Sequence, residues 1–138
     1  MKPISLKLLT MASAVLGVAC QQSPGDGGRA SIMGHIEVEA RVVMTSPATA
    51  QGEPYPARDK NVFLIYGDNV GPDDQVETNH EGNFIFPWLR PGEYTVYTYS
   101  EDTLGTIPPQ DMVVLKNLTI TSSTETVILD TLRVFKEL

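Results

Sequence analysis

The side chains that could do chemistry are few, and their spacing restricts what they can do. There are two histidines, His35 and His80, and one cysteine, Cys20. Zinc needs three or four converging nitrogen or sulfur ligands, so no zinc site is expected, and a disulfide within the chain is impossible. Asp68, Asp73 and Asp74, with Glu77 nearby, could gather oxygen ligands for calcium. They lack the alternating Asp-x-Asp-x-Asp-Gly order of a calcium loop, and a solvated acidic loop explains them more simply. Glu37 and Glu39 are paired carboxylates of the kind glycoside hydrolysis uses, but they alternate with other polar residues and describe an exposed strand face. No Gly-x-Ser-x-Gly elbow is present and neither histidine is placed to activate a serine. The expectation is a chain with no catalytic residue, no metal and no cofactor, and hence not an enzyme.

Aromatic residues offer a different chemistry. All ten lie from Tyr55 onward. Tyr97 and Tyr99 fall on one face of a strand, and Trp88 lies on the approach to a Pro-Gly turn. If that face meets solvent, the three could form a stacking platform for sugar rings. Alternatively Tyr97 and Tyr99 are the second face of a central strand, or ordinary cross-strand pairs.

These residues must be positioned by a small domain. A chain of 138 residues has room for one, and about 100 residues bury enough surface to fold without cross-links. Ten Lys and Arg stand against seventeen Asp and Glu, a formal charge of -7. Such a surface repels phosphate backbones, so nucleic acid is not an expected partner.

Apolar residues recur with period two from Ser31. Ile32, Gly34, Ile36, Val38, Ala40, Val42 and Met44 share one face, and His35, Glu37, Glu39 and Arg41 the other, which defines a half-buried strand. Thr45 to Lys60, with three prolines and Gly52, is a long connection. Val62 to Tyr66 is an apolar run fit for a central strand, and Gln75 to Thr78 a short one. Asn79 to Gly82 makes a turn, Phe84 and Phe86 alternate with Asn83 and Ile85, and Arg90-Pro91-Gly92 reverses the chain. Tyr94, Val96 and Thr98 then face one way, Thr95, Tyr97 and Tyr99 the other. Val113 and Leu115 are out of phase with Leu118 and Ile120, which predicts a bulge between them. Thr126 to Val134 is a last strand. Helical spacing is nowhere sustained. The pattern predicts an all-β sandwich of about seven strands over 31–138.

The N-terminus is built differently. Lys2 and Lys7 precede the apolar run Leu8 to Ala19, which is too short to span a bilayer. With Leu16, Gly17, Val18 and Ala19 leading into Cys20, it resembles a bacterial lipoprotein signal. That resemblance implies removal of 1–19, lipidation of Cys20, a membrane anchor and an envelope location, the outer membrane or cell surface most naturally. Gln21 to Ala30 has no apolar periodicity, so 20–30 is expected to be a flexible tether.

Glu81-Gly82-Asn83-Phe84, Leu89, Pro91-Gly92 and Tyr94 resemble the signature of carboxypeptidase regulatory-like domains, themselves similar to B-type repeats of bacterial adhesins. The resemblance implies a seven-stranded Greek-key sandwich of the prealbumin (transthyretin) type. It assigns no activity: Gly82 and Gly92 supply backbone freedom, Phe84, Leu89 and Tyr94 fill the core, and Pro91 presets a turn. Related hydrolases end in Tyr-Arg-Gly-Ser, whereas this chain ends Phe-Lys-Glu-Leu. The Lys-to-Asn cross-link of some adhesin repeats is not expected, because Ile32 to Met44 has no Lys and Thr126 to Val134 no Asn. Asp102-Thr103-Leu104 and Asp130-Thr131-Leu132 resemble short sites where some bacteria attach sugars, with Thr103 expected to be the accessible one. The expected function is a non-catalytic, lipid-anchored envelope module for contact with a protein or surface, the alternative being a carbohydrate-binding accessory domain.

Overall fold

A computed structural model describes residues 23–42, 49–101 and 110–138. The expected signal segment, Cys20, Met44 and Thr103 lie outside the described residues. The long strand β1 (Asp26–Val42) is the spine of the first sheet. Its first half pairs antiparallel with β6 (Asn83–Leu89) and parallel with β9 (Thr126–Ile128). Its second half pairs antiparallel with β2 (Thr49–Ala50) and β3 (Tyr55–Pro56), and parallel with β10 (Leu132–Glu137). The second sheet has the order β5-β4-β7-β8, all antiparallel, from β4 (Asn61–Tyr66), β5 (Asp74–Glu77), β7 (Gly92–Ser100) and β8 (Met112–Ile120).

The two sheets form an all-β sandwich because each has one continuous apolar face. Ile32, Ile36, Phe84, Phe86, Leu89, Leu132 and Val134 of the first meet Val62, Leu64, Tyr94, Val96 and Ile120 of the second, each at most 4% exposed. Burying each such side chain contributes on the order of 1.5–3 kcal/mol before chain entropy is subtracted. Ten strands occur among the described residues rather than about seven; β2, β3 and β9 are only two or three residues long.

Three expectations are corrected. The tether does not extend to Ala30, because Asp26 to Ala30 already belong to β1 and Ala30 is wholly buried. The segment lacks apolar periodicity because backbone groups hold it. The Tyr94 hydroxyl accepts the Gly25 N–H at 2.9 Å and donates to the Arg90 carbonyl at 2.6 Å, while the Arg90 N–H donates to the Gly25 carbonyl at 2.8 Å. Gly28 lies so close to the Leu89 carbonyl that a Cβ would overlap it.

The bulge expected in β8 is absent, since Gly92 to Ser100 pairs with Ile120 to Met112 in unbroken register. β8 changes phase because apolar residues occupy both of its faces. A slip occurs instead in the last strand. Met33 opposes Ile128 and Ile36 opposes Leu132, so one extra residue lies between β9 and β10. That residue brings Leu132 and Val134 to the core beside Val127 and Leu129, although the sequence sets the two pairs on opposite faces.

Candidate functional site

The outward face of the second sheet carries an apolar cluster. Phe63 on β4 opposes Tyr97 on β7, which opposes Leu115 on β8; one step along, Tyr99 opposes Val113. Phe63 and Tyr97 stack at 5.0 Å between ring centroids with planes 21° apart. Tyr99 meets both edge-on, at 5.7 and 5.8 Å. Tyr99, Leu115 and Val113 are 41, 51 and 52% exposed. Burial, together with the neighbouring Tyr99, raises the Tyr97 hydroxyl above its ordinary pKa. Polar side chains flank the cluster in mutual bonds: Thr95 Oγ1 donates to Asn117 Oδ1 and Gln75 Nε2 to Asn61 Oδ1, both at 2.8 Å. The faces of Phe63 and Tyr97 are turned on each other, so this surface offers ring edges and aliphatic groups more than free flat rings.

Tyr97 and Tyr99 are therefore both a central strand's second face and solvent-accessible. Trp88 does not join them. It sits on β6 in the first sheet, 68% exposed, with a left-handed φ of 60°. Ile32 pairs with Phe86 but Ala30 with Leu89, an extra residue in β6. Trp88 absorbs this bulge, so Leu89 enters the core and the indole turns outward.

The outward face of the first sheet has two halves: beside β6 and β9, exposed Met33 lies between exposed Ile85 and Ile128, and beside β10 the face is built from charge. Arg41 Nε binds Glu39 Oε1 at 2.7 Å, and Arg133 reaches Glu37 at 3.3 Å and Glu39 at 3.6 Å. The Arg41 guanidinium also lies 3.6 Å above the Phe135 ring, a cation–π contact. Glu37 and Glu39 thus serve in a lattice of ion pairs. His35 Nδ1 lies 2.9 Å from Asn83 Oδ1, on the same face.

The acidic loop uses its carboxylates locally. Asp73 accepts the Tyr66 N–H at 2.7 Å and the Asn69 amide at 3.0 Å, and Asp74 accepts the Gln75 N–H at 2.8 Å. Among the described residues no three His, Cys, Asp or Glu side chains converge to hold a metal ion.

The turn and core residues fall where they shape the fold. Gly82 has φ 76°, its carbonyl accepts the Ile36 N–H at 2.9 Å, and a Cβ there would come 2.5 Å from the Ile36 carbonyl. Gly92 begins β7 against Pro24, with Pro91 before it. Phe84, Leu89 and Tyr94 are buried. Thr131, expected to be inaccessible, is exposed in the break between β9 and β10. Phe63, Val113 and Leu115 are the cluster members that the sequence pattern did not single out. The out-of-phase apolar residues of β8 were their signal.

No protein-family model matches the chain, and no curated protein does. Among solved structures it is similar to a Pseudomonas aeruginosa protein described as a "putative carbohydrate binding protein". The match has 15% identity and a TM-score of 0.47, covering 77% of this chain and 90% of that one. So slight a likeness carries no ligand across to this protein.

Proposed function

We propose that the chain is a non-catalytic, lipid-anchored module of the bacterial envelope that binds a protein partner through the outward face of its second sheet. The observation that supports this is the Phe63, Tyr97, Tyr99, Leu115 and Val113 cluster. It is uncharged, half-exposed, and rich in the aromatic and aliphatic groups that favour the centre of a protein interface. The anchor rests on the resemblance of Lys2 to Cys20 to a lipoprotein signal, and the kinship to carboxypeptidase regulatory-like domains on the Glu81 to Tyr94 motif.

Cross-linking of intact cells tests the contact, with Leu115→Asp against Arg133→Glu. The cross-linked partner disappears with the first and persists with the second. Equal loss in both, or recovery of the uncross-linked protein every time, refutes it. Radiolabelled palmitate tests the anchor: label lost in Cys20→Ser supports it, and label retained refutes it.

The second reading, a carbohydrate-binding domain, draws on the 68% exposed indole of Trp88. Trp88 is the chain's single tryptophan, so its fluorescence reports that ring alone. A glycan panel that leaves the emission unchanged, with no retention on polysaccharide, removes it.

A further inference from the structure

At the end of the sandwich remote from Trp88, a groove of about 500 Å³ opens between the sheets. Its floor is apolar, made by Val38, Ala57 and Val134; the exposed ring of Tyr55 stands at its side. Around it are three cations, Arg58, Lys60 and Lys136, and one carboxylate, Glu101.

The charge is against the protein's composition. Of the eight Lys and Arg among the described residues, Arg41 and Arg133 are neutralised on the outer face of the first sheet. Three of the remaining six converge here, and among the described residues none of the three has an ion-pair partner. Glu101 is partly spent, since its Oε2 accepts the Glu137 N–H at 2.7 Å.

The rim is also held in place. The Thr78 hydroxyl donates to the Ala57 carbonyl at 2.5 Å and accepts the Lys60 N–H at 2.9 Å. The Asp59 N–H donates to the Thr78 carbonyl at 3.1 Å, and the Thr78 N–H to the Lys60 carbonyl at 3.0 Å. These four bonds fix the backbone that carries Arg58 and Lys60, which reduces the ordering cost of binding.

The geometry points to this groove as a binding site for an anionic sugar, a carboxylated or phosphorylated pyranose. Unpaired cations meet the carboxylate or phosphate, while Tyr55 and the apolar floor meet the C–H face of the ring. The volume falls in the range of about 300–1,000 Å³ typical of small-ligand pockets. This site is separate from the protein-contact face and stands or falls independently of it.

Calorimetry on the whole protein in detergent tests it with five probes: digalacturonate, glucose 6-phosphate, inorganic phosphate, lactose and a tetraglutamate peptide. Binding of digalacturonate alone identifies carboxylated sugars as the source, of glucose 6-phosphate alone phosphorylated ones, and binding of both the shared anionic chemistry. Affinity is expected to fall at least about threefold between low and high salt, as screening shortens the reach of the cations. Arg58→Ala with Lys136→Ala weakens binding at least about tenfold, equivalent to about 1.4 kcal/mol. Both side chains are exposed, so the fold is retained, and an unchanged circular dichroism spectrum and urea midpoint verify it. Tyr55→Ala weakens the sugar probes and leaves affinity for inorganic phosphate unchanged. No binding by either anionic sugar, equal binding of lactose, tighter binding of tetraglutamate, or wild-type affinity in the double variant overturns the assignment.

Discussion

The β10 half of the first sheet's outward face and the outward face of the second sheet answer the same problem differently. Each is a row of half-exposed side chains across adjacent strands. On the first sheet, Glu37, Glu39, Arg41 and Arg133 satisfy one another, and Glu39, with a side chain only 12% exposed, bonds to two arginines. On the second, Phe63, Tyr97 and Tyr99 pack together but leave Leu115 and Val113 in water. The charged face is complete within the molecule, whereas the apolar one gains further burial only from another molecule. The difference supports the proposed contact on the second sheet, and the exposed Met33, Ile85 and Ile128 form a second, separate apolar row on the first.

The comparison can be broken from beneath. Phe86→Ala, in the core shared by both sheets, should cost about 3–5 kcal/mol. Circular dichroism and Trp88 fluorescence should then report one coincident urea transition; separate transitions would mean the faces belong to independently stable layers. Within the apolar face, Phe63→Ala and Tyr97→Ala should be coupled by about 0.5–1.5 kcal/mol in a double-mutant cycle, because their rings stack. Simple additivity would show that the cluster is not a unit. On the charged face, Glu37→Gln, which removes the more exposed pair with Arg133, should cost under about 1 kcal/mol, with the loss shrinking in high salt as surface pairs are screened. A loss insensitive to salt would mark the lattice as structural rather than electrostatic.

The smallest effect lies at neither face. Burial raises the pKa of Tyr94, and burial with the Asp26 carboxylate raises that of Tyr66, whose hydroxyl donates to Asp26 Oδ1 at 3.0 Å. The folded state therefore keeps these protons to higher pH than the unfolded chain. Their contribution is intact below the ordinary tyrosine value of about 10 and is lost as pH rises through the folded values. Chemical denaturation at pH 9 and 11 should show this decline, and Tyr66→Phe should flatten it.

Much of the fold was legible. β6 and β7 follow from period-two patterns bounded by turn residues and β4 from a short apolar run, and the burial of Phe84, Phe86, Tyr94 and Val96 matches their phase. Errors arose where backbone groups outweighed side-chain pattern. Asp26 to Ala30 has no apolar repeat because glycine contacts and the Tyr94 hydroxyl fix it. The extra residues at Trp88 and before Leu132 reverse the phase within a strand, and composition does not announce them. The candidate face was half legible: Tyr97 and Tyr99 stand where their alternation puts them. Their partners Phe63, Val113 and Leu115 come from strands distant in sequence, and only register reveals them.

The hold of Tyr94 on Gly25 also sets how freely the domain can swing. With a lipid on Cys20, as proposed, the four links to Pro24 extend at most about 14 Å. The sandwich would then stand close against the bilayer instead of ranging over it. Its Trp88 and Arg90 end would point toward the lipid, and the end bearing Lys136 would face away.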